Sequence, residues 1–203
     1  MFKVINKTDP QVLDSLSTEL YQHRIYIGQH AVTESSRNSY WYVDNDTVVS
    51  KTGVDGLITN SSSMCVEIYG YTPETRTSTY SRGTDLPYIN GCSTKQLITP
   101  VRPGDPTFQM LYIPKGVSEQ EHHIHATARI VYVARGRGKS VVGTLGNSTV
   151  YDLNEGDIIV LGKMIPHHFE TSDSDLLVLP LHIFSSIASE EFNHPMYNGT
   201  HRV

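Results

Sequence analysis

Five of the chain's ten histidines stand in two short runs, His122-His123-Ile124-His125 and Pro166-His167-His168. Imidazole is the commonest protein ligand for zinc, iron, nickel and copper, and it binds as the neutral base near neutral pH. On an extended strand His123 and His125 lie two apart, leave the same face and can share one ion. His122 leaves the opposite face. A third ligand must come from elsewhere in the chain, and His167 is the best candidate. His122 and His168 each adjoin a better-placed ligand, so they are expected to face outward or to donate hydrogen bonds behind the ligands. His182 lies in the apolar run Leu176 to Phe184, either as a satisfied core histidine or as an acid, base or fourth ligand reaching the interior. Glu121 adjoins the first run, where its carboxylate could ligate an ion or hold an imidazole in one tautomer.

Histidines in such runs need strands and turns to position them. From Phe108 onward the pattern is regular: short apolar strands at 108–113, 122–126, 129–134, 139–143, 149–153, 158–161, 167–170 and 176–184. Turns are read between them at Pro114-Lys115-Gly116, Arg135-Gly136-Arg137-Gly138 and Asn154-Glu155-Gly156-Asp157. Many short strands with glycine- and proline-rich turns argue for an all-β barrel or jelly roll. Tyr112 and Tyr132 sit on these strands and are read as packing residues that could also line a pocket.

The first hundred residues say less. Asp9-Pro10 can cap a helix, and Val12, Leu13, Leu16 and Leu20 recur at helical spacing, which predicts a short amphipathic helix from there to about His23 to Gly28. Tyr40 to Val43 and Thr47 to Val49 flank Asp44-Asn45-Asp46 and read as a hairpin. Met64 to Tyr69 reads as a further strand, and Thr72 to Asp85 as a long surface connection. This half either completes the sheet of the second half or is a degenerate copy of it, and the sequence carries no repeat strong enough to claim the copy. Residues 1–100 are therefore expected to be a helix-led, β-rich extension packing on a barrel formed by residues 101–203.

The 203 residues are 38% hydrophobic and carry a formal net charge of −5. That is enough apolar content for a core, and no basic face is advertised for nucleic acid. No run approaches the length of a membrane span, and no signal-peptide pattern opens the chain, so a reducing cytoplasm is expected. Cys65 and Cys92 are too few for a disulfide framework and are read as buried apolar residues.

The stretch from about 108 to 184 resembles the cupin superfamily. The superfamily's first motif reads here as Gly116, His123-Ile124-His125, Arg129 and Gly136, and its second as Gly156-Asp157, a short apolar strand, and Pro166-His167. The resemblance implies a jelly-roll barrel, the double-stranded β-helix, with one divalent metal held by His123, His125 and His167. The superfamily's usual glutamate ligand is replaced by Arg129, which cannot ligate a metal. A three-histidine centre with open positions is therefore expected, as in some cupin-like thiol dioxygenases. Arg129 either pairs with a substrate carboxylate or phosphate or points outward to an acidic residue. Fe(II) is the favoured metal, with an oxygenation of a small polar, anionic molecule as the reaction. The same centre with zinc, nickel or manganese would suit an isomerase or lyase, and a barrel that binds a small ligand without turnover is the other class. A homodimer is expected from the resemblance, with a small molecule as the only other partner.

Overall fold

The computed structural model describes residues 1–6, 8–28, 30–60, 64–81, 83–117, 122–184 and 200–202. In the first half the strands are β1 (Phe2–Ile5), β2 (Gln11–Ser17), β3 (Gln22–Ile27), β4 (His30–Glu34), β5 (Asn38–Asp44), β6 (Thr47–Thr52), β7 (Gly56–Asn60), β8 (Met64–Tyr69) and β9 (Arg76–Thr79). The second half has β10 (Leu86–Pro87), β11 (Ser93–Ile98), β12 (Thr107–Ile113), β13 (His123–His125), β14 (Ala128–Thr144), β15 (Asn147–Asn154), β16 (Ile158–Leu161), β17 (His167–Glu170), β18 (Leu176–Ile183) and β19 (Thr200–Arg202). Every pairing among them is antiparallel.

The two halves repeat one topology. In the second, β11-β12-β18-β14 run side by side, β16 follows on β14, and β1 closes that edge. In the first, β2-β3-β8-β5-β6-β9 run in the same way. The short pair β4-β7 of the first half corresponds to β13-β17 of the second. The alternative left open by the sequence is thus resolved by strand order: residues 11–79 trace a degenerate copy of the later barrel. What the copy lacks is a hairpin. Asn45 takes a positive φ of 50° in the two-residue turn joining β5 to β6. The long β14 instead runs on past β16 and β18, turns back as β15, and pairs with β17 along its far portion.

Each half has one sheet turned toward the other half. On β12, β14, β16 and β18 alternate residues face opposite ways, as the pleat requires. Phe108, Met110, Ile130, Ile158, Val160, Leu179 and Leu181 join Ile25, Ile27, Trp41, Val43, Val66 and Ile68 in one core between the halves. Leu111, Ile113, Val131, Val133, Ile159, Leu161 and Val178 fill the interior of the second barrel. Because both faces are covered, β16 reads as an unbroken apolar run, and β8 and β18 are interrupted only by Glu67 and His182 among their buried residues.

Three local expectations are corrected. Residues 11–17 form a strand, not a helix. One extra residue is inserted in β2 between Leu13 and Leu16, which pair with Ile25 and His23 of β3. Ser15 sits there at φ 58°. The bulge puts Leu13 and Leu16 on one face despite their three-residue spacing, and Val12 is left exposed, so the apolar pattern imitates a helix. Residues 135–138 are likewise a bulge and not a turn: β14 shifts register between Val133 and Arg135 and continues. Gly136 has φ 86°, and a Cβ there would lie 1.9 Å from the Asp175 carbonyl oxygen, so only glycine fits the bend. Finally, the stretch read as a surface connection over 72–85 contains β9, paired with β6.

Candidate metal centre

His123 and His167 pair across β13 and β17, and His125 follows on the same face of β13. The three side chains are 2%, 3% and 3% exposed for His123, His125 and His167, and their ligand atoms lie within 4.8 Å of one another. Ring centroids stand 4.5 Å apart for His123–His125, 4.6 Å for His123–His167 and 5.2 Å for His125–His167. The imidazoles from two runs of the chain therefore converge in the barrel.

Their protonation suits ligation. Burial, with the nearby Arg129 charge second, lowers His125 well below the usual imidazole range and His167 to about 3. Both rings are neutral at pH 7. His167 Nδ1 donates to the Ile165 carbonyl oxygen at 2.7 Å, which leaves Nε2 with the lone pair. His125 differs. Its Nδ1 accepts from Arg129 Nη2 at 2.7 Å, and its Nε2 lies 2.8 Å from His123 Nε2. An imidazole that accepts at Nδ1 carries its proton on Nε2, so in this arrangement His125 donates to His123. The donor set fits one divalent transition metal, on the condition that an arriving ion displaces that proton.

Arg129 is 6% exposed and packed against His125, with Nε also directed to Thr127 Oγ1 at 3.4 Å. It pairs with His182 across β14 and β18. His182 is fully buried, its ring centroid 6.4 Å from that of His125, and among the described residues neither ring nitrogen has a hydrogen-bond partner. Burial, then Arg129, lowers it well below the usual range, so it is a neutral base beside the three-histidine group rather than a member of it. Glu121 lies outside the described residues. Tyr112 and Tyr132 pack against the core between the halves, away from the histidines. Cys65 and Cys92 are buried thiols.

The matched positions in the first half carry other chemistry. The cross-strand pair Arg129–His182 corresponds to Tyr40–Glu67. Glu67 is 4% exposed and accepts from Tyr26 and Tyr40 hydroxyls, each at 2.9 Å, and from Asn38 Nδ2 at 2.8 Å. Burial pushes the Tyr26 phenol up to about 12, so it stays a donor. The interior there is closed by Tyr26, Val32, Tyr40 and Cys65.

A family model described as "Cupin domain" matches residues 108–184, the span of β12 through β18. Residues 108–184 are a cupin domain. Solved structures carry the likeness into the first half. A cupin 2 conserved barrel domain protein from Leptotrichia buccalis is 14% identical, with TM-score 0.52 over 89% of this chain and 96% of its own. A putative glyoxylate induced protein from Pseudomonas aeruginosa is 13% identical, with TM-score 0.60 over 91% and 88%. HEPD from Streptomyces albus, solved with 2-hydroxyethylphosphonate and Fe(II) bound, is 8% identical, with TM-score 0.59 over 93% and 77%. At such identities the likeness is one of fold. No curated protein matches the sequence. Among the described residues no helix is long and apolar enough to cross a membrane.

The sequence located the cupin domain's three histidines but missed the Arg129–His125 bond. Its signal was Arg129 standing four residues after His125, beyond a two-residue break between strands.

Proposed function

We propose that the cupin domain is a metal-dependent enzyme centre acting on a small anionic molecule, with Fe(II) and an oxidation as the leading form. The observation that supports this most is the convergence of three buried imidazoles, His125 and His167 among them held neutral, beside one buried guanidinium. When bound, iron supplies a Lewis acid and redox centre with open coordination positions. His123, His125 and His167 would hold it. Arg129 would bind a carboxylate or phosphonate group of the substrate and orient it toward the centre. His182, neutral and without a hydrogen-bond partner among the described residues, would take a proton from the substrate at a ring nitrogen. The likeness to HEPD supports the iron form only as far as a shared fold can. A homodimer is part of the proposal and is checked by light scattering.

The test is elemental analysis of the purified protein, followed by oxygen uptake with carboxylates, phosphonates and thiols. Oxygen consumption by the iron-loaded protein is expected. Metal-dependent turnover without it moves the reading to an isomerase or lyase using zinc, nickel or manganese. No metal bound at all removes the enzymatic reading. Arg129→Met is expected to raise metal affinity about tenfold in equilibrium dialysis, because His125 can then keep its proton on Nδ1. It should also weaken binding of the anionic substrate.

A further inference from the structure

A second pair of histidines stands back to back with the barrel ligands. Strand alternation turns His122 and His168 to the other side of the wall that carries His123 and His167. His122 Nδ1 lies 2.8 Å from His168 Nδ1. The opposite nitrogens are both committed. His122 Nε2 meets the Gly143 carbonyl oxygen, which can only accept, so this nitrogen donates. His168 Nε2 donates to Glu170 Oε1 at 2.9 Å. With both Nε2 atoms protonated, two neutral rings would aim lone pairs at each other at hydrogen-bond distance. Something positive must lie between them, either one shared proton or a metal ion.

From this geometry we propose a second cation site, formed by His122 and His168 on the outer side of the wall, for a borderline divalent ion such as zinc, nickel or copper. Two nitrogens about 2.0 Å from one ion stand wider apart at a tetrahedral site, and about 2.8 Å apart at the right angle of a square-planar or octahedral one, as nickel and copper take. That is the separation found here, and also between His123 and His125 Nε2. Each ring further has the support a ligating histidine takes: its other N–H is donated to a backbone carbonyl in one case and to a carboxylate in the other. His122 is 7% exposed and the His168 side chain 14%, so the ring nitrogens are sheltered while Glu170 reaches solvent at 43%. Water would complete the coordination. An ion there ties β13 to β17 and, through Gly143, to the far part of β14, and so stiffens the wall behind the barrel ligands.

Equilibrium dialysis against Zn²⁺, read as ions per chain, tests the site separately from the barrel. Wild type is expected to hold two ions, and His122→Ala, His168→Ala and His167→Ala one each. Glu170→Gln should keep two, with the outer one weakened roughly tenfold or more. As a measurement needing no variant, substoichiometric Cu²⁺ should broaden the ring-proton NMR signals of His122 and His168. If wild type holds one ion that His168→Ala removes and His167→Ala does not, the outer site stands and the barrel reading falls. If His122→Ala and His168→Ala bind as many ions as wild type, or Cu²⁺ spares these two rings, the pair holds a shared proton and the site is overturned.

Discussion

Two copies of one strand order lie side by side in this molecule, and their interiors differ at matching positions. In the first, a buried carboxylate, Glu67, is satisfied by two phenols and an amide. In the second, Arg129 and His182 hold the corresponding places, the latter with no partner for either ring nitrogen among the described residues, beside three clustered imidazoles. A buried polar group with all its bonds made stabilises a fold, whereas buried bases with lone pairs left over cost stability and mark a place where a ligand belongs. Topology alone thus says nothing about which barrel works. The donors and acceptors inside decide it.

The largest effect that would sharpen this contrast is on metal. His167→Ala should weaken metal binding in the barrel by at least roughly a hundredfold, measured by competition with a chelator. A substitution in the first barrel, Glu67→Leu, should leave metal content untouched and act on stability instead. It strands the Tyr26 and Tyr40 hydroxyls and the Asn38 amide, at a cost on the order of 3 kcal/mol in denaturant unfolding. Equal metal loss in both variants would break the comparison.

Acid should separate the barrels next. His167 is held at about 3 in the folded state, and His125 and His182 also lie well below the usual value, whereas an unfolded histidine titrates near 6.5. The unfolded chain therefore binds more protons as pH falls. The stability of the metal-free protein is complete above about pH 6.5 and declines toward pH 3, by about 1.4 kcal/mol per pH unit for each such ring. His23 of the first half, lowered to about 4 by burial, adds one more ring to the three in the second. Unfolding curves from pH 7 to 4 check the slope, and replacing His182 by Leu should flatten it.

The smallest effect concerns the bulge. Ser15→Gly should stabilise the protein by about 0.5–1 kcal/mol, because glycine takes φ 58° without the Cβ clash. A loss of stability there would mean that the bulge is not what aligns Leu13 with Leu16.

The cupin half was legible because its short apolar strands are set off by glycine- and proline-rich turns and its first two ligand histidines obey the two-residue period. The first half was not. Its repeat survives only in strand order, since Tyr40 and Glu67 share no chemistry with Arg129 and His182, and side chains are all that a sequence displays. At β2 an inserted residue converted a period of two into a spacing of three, which is the signature of a helix. At Gly136 a glycine that bends a continuous strand read as a glycine that ends one. Strand parity put His123 and His125 on one face, and the resemblance of Pro166-His167 to the second cupin motif supplied the third histidine. The tautomer of His125 depends on where one long arginine side chain turns, and no spacing rule encodes that.

Strand β1 pairs residues 2–5 with residues 158–161. During synthesis on the ribosome this segment emerges long before residues 158–161 and meets them only after the intervening chain has followed. Until then the margin of the later sheet is bare and open to pairing with another molecule. Slow refolding and concentration-dependent aggregation should therefore trace to this one ladder, and shortening it should expose the defect long before it disturbs the histidines.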